Sequence, residues 1–271
     1  MFLANIQFGK KRRKSKAFYE DLLKSYLSSL VHNGQLCGEY YLFTWTDNIL
    51  NAHTTVSHPA AFELKYHSDW GIRELNKIIQ AFGHEPKWIL LDDDIPKKMP
   101  DYKNSPFLYI FTSTFRWGSS IRRGDNGKRI SPIMLPVSSE IKDDIYGWER
   151  VYRHYDHIWL DSGVLEIPVY KQLADPKSEL SDRGRKICAD VEKATGIPTY
   201  YYLMRYWGRK NGEDQRKCPA CGNQWHIEAK ETKKEQFWHF HFQCHECRLV
   251  SHKASCCYDE RHARIGEYKN S

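Results

Sequence analysis

The stretch Cys218-Pro-Ala-Cys221-Gly222, with 22 residues between Cys221 and a second motif, Cys244-His-Glu-Cys247, decides how this chain is read. A C-x-x-C pair lets one tight turn aim two sulfurs at one ion. Two such knuckles at this separation complete a tetrahedron of thiolates with no open position, which is the structural rather than the catalytic form of a zinc site. Gly222 stands just after the second ligand, where backbone N–H groups turn toward thiolates. One structural Zn2+ per chain, held by Cys218, Cys221, Cys244 and Cys247, is therefore expected. A redox C-x-x-C would need a strand-to-helix setting, whereas the sequence here is strand-like. Residues 225–229 follow the first knuckle, 230–235 form a polar turn, and 236–243 precede the second knuckle. By the period of two, Trp238, Phe240 and Phe242 share one face of that last strand, and Phe237, His239 and His241 the other. This is the plan of a zinc ribbon, a module so small that the metal has to stabilise it. With four cysteines filling the shell, His226, His239, His241, His245 and His252 read as strand histidines. Cys256 and Cys257 read as ordinary thiols or, with His252, as part of a second metal site.

The rest of the composition bounds the class. Of 271 residues, 41% are hydrophobic and 28% charged, the balance of a folded soluble chain. Six of the eight cysteines lie between 218 and 257, a metal-site pattern rather than an extracellular disulfide framework. Apolar runs such as Trp88-Ile89-Leu90-Leu91 are far too short for a membrane span. At the N-terminus the basic run follows the apolar one, the wrong order for a secretory signal. The expected compartment is the cytoplasm, with no membrane partner. The net charge is +7, but residues 1–16 carry six Lys/Arg and no acid, residues 17–207 carry 23 basic and 25 acidic side chains, and residues 208–271 carry 12 and 9. The body is nearly neutral, which excludes a chain that is cationic throughout.

Upstream of the ribbon, residues 1–115 alternate in type. Strands are expected at 2–8, at 40–46, at 54–65 with a break near Pro59, at 88–91 and at 107–115. Ser15 caps a helix whose apolar stripe is Phe18, Leu22, Leu23, Tyr26, Leu27, Leu30 and Val31, and Ser68 or Asp69 caps a second that ends at Gly83. The order β-α-β-β-α-β suggests a ferredoxin-like split unit. A helix over 138–161, another from a Ser181 cap to Gly196, and an aromatic strand over 199–207 complete the body; 211–214 is the linker. The fold class is thus α+β. An N-terminal ferredoxin-like or related α/β sandwich, residues 1–207 with a subdivision near 115–135, precedes a zinc-ribbon domain, residues 208–271.

Two basic features and one aromatic face are candidates for nucleic-acid contact. Lys10, Lys11, Arg12, Arg13, Lys14 and Lys16 form a dense run before the first helix, where cations are disfavoured unless an anion joins them. The other reading of this run is a solvated loop. Arg122, Arg123, Lys128 and Arg129, with Arg116 and Trp117, read as a hairpin turning at Asp125-Asn126-Gly127, either a phosphate grip or a solvated edge. Trp238, Phe240 and Phe242 either stack bases, with Lys230, Lys233, Lys234 and Arg248 near phosphates, or pack on the preceding domain. Asp92-Asp93-Asp94 ends a strand, where it reads as a turn or a magnesium carboxylate cluster. The chain has no phosphate-loop glycine pattern, no nucleophile elbow and no H-E-x-x-H.

The segment Gly184-Arg185, then Glu192-Lys-Ala-Thr-Gly-Ile-Pro-Thr-Tyr-Tyr-Tyr-Leu203, then Arg216-Lys-Cys-Pro-Ala-Cys-Gly222 resembles an uncharacterised bacterial family of zinc-ribbon-containing proteins to which nucleic-acid binding has been ascribed. The resemblance covers residues 180–250. It implies a bound metal and a nucleic-acid partner, and it brings no catalytic residue. The expected function is that of a non-enzymatic zinc-ribbon protein binding nucleic acid through the basic arm and ribbon face. The alternative is a protein-binding module, such as an immunity or antitoxin-like protein that blocks a partner; a third reading is an enzyme with an unrecognised site.

Overall fold

The structure, a computed structural model, describes residues 1–12, 14–38, 41–92, 94–227, 236–257 and 260–269. The chain divides into two compact units. The first is Met1–Asp101, Trp117–Ser119 and Ile130–Tyr146; the second is Tyr102–Arg116, Ser120–Arg129 and Gly147–Ser271.

In the first unit the elements run β1 (Phe2–Lys10), α1 (Lys16–His32), β2 (Leu42–Thr46), β3 (Ile49–Val56), α2 (Asp69–Phe82) and β4 (Lys87–Leu90). The sheet order is β2-β3-β1-β4, and every neighbouring pair is antiparallel. Both helix starts are set by serines. The Ser15 hydroxyl accepts from the Phe18 N–H at 3.2 Å, and the Ser68 hydroxyl accepts from Gly71 at 3.1 Å. Each cap satisfies a backbone donor that the first helical turn leaves open. Strand alternation then fixes the core: Phe2, Ala4, Ile6 and Phe8 are buried with Leu23, Tyr26 and Leu27 of α1 and Ile78 and Phe82 of α2.

Two expectations change here. The third strand begins at Ile49, not at 54, because Asp47 and Asn48 both take positive φ (52° and 62°) and close a two-residue turn directly onto it. That pair of residues suits the left-handed positions of a type I′ hairpin. The strand expected over 107–115 is shorter, Leu108–Ile110, and lies in the second unit. Asp92 accepts from the Leu3 N–H and so extends the β1–β4 edge; Asp93 lies outside the described residues.

The second unit holds β5 (Leu108–Ile110), β6 (Ile121–Arg123), β7 (Thr199–Tyr202), β8 (Phe242–Cys244) and β9 (Leu249–Ser251), in the order β6-β5-β7-β9-β8. β7 is central and pairs in parallel with both β5 and β9. The sheet therefore runs across the boundary placed at 207/208: the strands that flank the second knuckle are its last two members. Helix α3 (Ser139–Asp161) contributes its turns from Gly147 onward to this unit, which also holds α4 (Glu166–Ala174) and α5 (Glu179–Thr195). No sequence expectation covered α4. Helix α5 starts one turn before its expected Ser181 cap, because the Ser178 hydroxyl accepts from the Ser181 N–H at 3.1 Å and brings Leu180 into the buried face.

Helix α5 approaches β7 closely at Gly184, where a Cβ would stand 2.3 Å from the Tyr201 ring and 2.8 Å from Trp148 Nε1. Both rings are fully buried and cannot swing away. Gly184→Ala, normally favourable in a helix, is therefore expected to cost about 1–3 kcal/mol by overpacking. A urea denaturation midpoint at or above that of the parent would contradict this packing.

Candidate metal centre

Each knuckle is built by its own backbone. In the first, the Gly222 N–H donates to the Cys218 carbonyl and the Cys218 N–H to the Asn223 carbonyl, both at 2.8 Å. Gly222 takes φ +78°, in the left-handed region, so the chain turns back without a Cβ in the way. In the second, the Cys247 N–H points at Cys244 Sγ, 3.4 Å away. The two knuckles are tied by Asn223 Nδ2, which donates to Glu246 Oε2 at 2.8 Å.

The result brings together the four cysteines that the spacing selects: the Sγ atoms of Cys218, Cys221, Cys244 and Cys247 lie within 4.8 Å of one another. Cys221 and Cys244 are 3.7 Å apart. That is too far for a disulfide. It matches the edge of a tetrahedron with ligand bonds of ~2.3 Å, about 3.8 Å. Burial pushes the Cys218 thiol up to about 12 and raises Cys247 as well, where neighbouring sulfurs add to the effect. At Cys221 burial also acts upward, but hydrogen bonds from the Asn223 backbone and the neighbouring thiols outweigh it and hold the group below its ordinary value. Protonated, the four sulfurs crowd one another; a cation at their centre would convert them to ligands. Among the described residues no other group of three or more His, Cys, Asp and Glu side chains is close enough to hold a metal. Cys256 and Cys257 stand outside the cluster as free thiols.

The centre rests on a sheet corner and on a buried ion network. Residues 225–227 run beside β8: Gln243 donates to the Trp225 carbonyl at 2.7 Å and Ile227 to His241 at 2.8 Å. Beyond 227 the expected strand, with the turn carrying Lys230, Lys233 and Lys234, lies outside the described residues. The Trp225 and Phe242 rings pack 5.1 Å apart. The Arg216 guanidinium lies over both, at 4.8 and 4.5 Å. Behind it Arg205 bridges Glu213 (3.1 Å) and Glu267 (3.2 Å), and Arg209 holds Glu267 at 2.7 Å. Spacing in the sequence does not mark this network: Arg205, Arg209, Glu213 and Arg216 lie close together, but Glu267 comes from far along the chain.

The expected alternation over 236–243 does not persist, because strand geometry begins only at Phe242. Phe237, Trp238 and Phe240 instead cover the aromatic face made by Tyr109, Phe111, Tyr200 and Tyr202. Trp238 presses on Gly127, where a Cβ would meet the indole at 2.3 Å. The packing alternative thus describes Trp238 and Phe240. His252 is enclosed by the same cluster. Its Nε2 donates to the Phe237 carbonyl at 2.8 Å, and its Nδ1 accepts from the Tyr202 hydroxyl at 3.1 Å. Burial lowers its pKa to about 4. The folded state therefore resists a proton that the unfolded chain takes up near pH 6.5. Stability present above pH 6.5 is expected to fall as the pH drops toward 4, by at most about 3 kcal/mol. His252→Gln should flatten that part of the pH profile, measured by urea unfolding at pH 7 and pH 5. An unchanged slope would contradict the assignment.

The basic candidates separate into distinct groups. Lys10, Lys11 and Arg12 are exposed and form no ion pair among the described residues; Arg13 lies outside them. Lys14 and Lys16 place their ammonium groups over the Phe18 and Trp45 rings, at 5.5 and 5.6 Å. The basic hairpin is present but short. The Gly127 N–H donates to the Arg123 carbonyl and the Arg123 N–H to the Lys128 carbonyl, both at 3.0 Å. Arg122 and Arg129 share one antiparallel bridge, and Ile121–Arg123 pairs on its other side with β5. Arg122 is only 6% exposed: its Nη1 donates to the Gly127 carbonyl, and burial lowers its pKa to about 10. Arg123 holds Asp125 at 2.7 Å and the Lys103 carbonyl at 2.8 Å. Alternation along a short edge strand turns one of these arginines inward. Lys128 is exposed.

Among the described residues no helix is long and apolar enough to cross a membrane. No solved structure matches the chain. Models of three domains of unknown function match it: DUF8589 over residues 1–92, DUF2310 over 103–204 and DUF8594 over 208–255. Two uncharacterised proteins of Haemophilus influenzae are similar. One is 33% identical over 166 residues, which are 60% of this chain and 79% of the relative. The other is 34% identical over 170 residues, covering 60% of this chain and 61% of that relative. With a third of the aligned residues identical over most of the first relative's length, the chain belongs to the same uncharacterised bacterial family as that Haemophilus influenzae protein.

Proposed function

We propose that this is a cytoplasmic, non-enzymatic zinc-ribbon protein whose Cys218, Cys221, Cys244 and Cys247 hold one structural Zn2+, and that it binds nucleic acid through its basic arm. The observation that carries the reading is the four-sulfur cluster, sized for a tetrahedral ion and leaving no position for substrate. All-thiolate tetrahedral donors favour zinc among common divalent ions. We also read the first unit as ferredoxin-like. Its β-α-β-β-α-β order and the β2-β3-β1-β4 antiparallel sheet support that reading.

The nucleic-acid part rests on the exposed Lys10, Lys11 and Arg12, beside Arg13. Replacing Lys11, Arg12 and Arg13 with Ala is expected to lower the slope of log affinity against log salt by roughly two to three, equally across sequences. Folding should change little, since exposed charges contribute little to stability. Salt titrations on single-stranded and duplex probes decide the matter: equal slopes for parent and variant would remove the arm, and no binding at low salt would remove the function.

One observation favours a protein partner instead. Leu160, Val164 and Leu165, around the end of α3, are 45%, 91% and 46% exposed. Apolar groups so displayed suit an immunity or antitoxin-like contact. Affinity capture that survives nuclease treatment would support that alternative.

A further inference from the structure

The basic run does not act as one surface. Lys14 and Lys16 have aromatic partners of their own, whereas Lys10 and Arg12 line an open cavity of about 530 Å³ in the first unit. Two side chains from far along the sequence, His84 and Lys87, line the same cavity, and among the described residues no carboxylate does.

The fold makes this convergence. The β1–β4 register sets Lys87 opposite Gln7, so the first residue of β4 stands beside the end of β1. After Gln7 the strand bulges, and Gly9 takes φ +130°, which leaves bare backbone on the cavity side. A Cβ there would come within 2.7 Å of His84 Nε2. At the end of α2 the same holds for Gly83, where a Cβ would stand 2.3 Å from the Arg12 guanidinium. His84 and Arg12 thus lie against glycine backbone. Three permanently cationic residues, Lys10, Arg12 and Lys87, line one concavity and form no ion pair among the described residues. Gathering like charges is unfavourable unless an anion neutralises them. Ile49 and Phe82 contribute apolar lining below.

We propose that this cavity seats the phosphates of a single nucleic-acid strand, with Lys10, Arg12 and Lys87 as its cationic contacts. A guanidinium and two mobile ammonium groups suit non-bridging phosphate oxygens. The apolar lining suits a sugar and base face, which a single strand leaves open and a duplex stacks away. The inference rests on the nucleic-acid reading above, and adds to it a residue, Lys87, that lies outside the basic run.

The test uses the full chain and a fluorescently labelled 20-nucleotide thymidylate strand, with a 20-base-pair duplex as comparison. Lys87→Ala and Lys10→Ala are each expected to lower the salt slope by ~0.7, about fivefold weaker binding at 0.1 M salt. Thermal unfolding should be unchanged, because Lys87 is exposed. Lys14→Ala/Lys16→Ala together should cost less than Lys87→Ala alone. If Lys87→Ala keeps the parent slope while the Lys11/Arg12/Arg13 variant loses its share, the cavity is no phosphate seat and the broader reading stands. Tighter binding of the duplex than of the single strand would also overturn the seat. If the parent binds neither probe, both readings fall together.

Discussion

Cys221→Ser is expected to release the metal and to unfold more than the ribbon itself. Structural zinc contributes about 10–16 kcal/mol of apparent free energy in small modules, as much as the whole stability of an ordinary domain, ~5–15 kcal/mol. The knuckles do not hang from the chain as an appendage. Cys244 ends β8, β8 pairs with β9, and β9 pairs in parallel with the central β7. Without an ion the two knuckles are joined only by hydrogen bonds such as Asn223 to Glu246, and β9 loses much of the anchor that holds it beside Tyr201 and Tyr202. The expected result is loss of amide protection in Leu249–Ser251 and Thr199–Tyr202, with the first unit's β1 and β3 still protected. Metal loss that leaves β9 protected in hydrogen exchange would show that the sheet does not depend on the site.

Arg205→Met should be the most damaging substitution away from the cysteines. The Arg205 guanidinium is almost fully buried, reaches both Glu213 and Glu267, and donates to the Ile265 carbonyl at 3.0 Å. Removing it strands two mostly buried carboxylates and an acceptor. Breaking a buried ion pair by deleting one partner typically costs about 3–5 kcal/mol. Arg209 and Arg216 remain near those carboxylates and soften the loss, so the lower end of that range is expected. Arg205→Met with Glu213→Gln should recover part of it, because the amide removes one stranded carboxylate and Glu267 keeps Arg209, although Arg216 then loses the carboxylate it meets at 3.5 Å. Urea midpoints of the parent, single and double variants measure this; a double variant no more stable than the single would contradict the pairing.

Local signals in the sequence carried much of the architecture. Ser15 and Ser68 mark two helix starts, Gly83 and Gly196 two ends, and all four stand where the structure has them. The cysteine ligands were legible because C-x-x-C spacing encodes a turn geometry that owes little to the rest of the chain. What the sequence hid is long-range. Nothing local says that Leu249 will pair with Tyr201 across 48 positions, so the ribbon reads as a separate domain. Arg122 reads as a surface charge because its burial depends on Phe111 and Gly127. The short α4 carries Pro168 in its first turn and has no side-chain cap, so its start lacks the serine signal that marks the other helices. The turn at Asp47-Asn48 was readable from the preference of those residues for positive φ, and it would have placed β3 correctly.

The central claim is that the four cysteines hold one structural zinc. Elemental analysis of the purified full-length chain tests it most directly. The account predicts one zinc per chain that survives dialysis and leaves only on denaturation or strong chelation, with β8 and β9 lost at the same point. A chain that is metal-free as purified, yet keeps those strands protected, would contradict it.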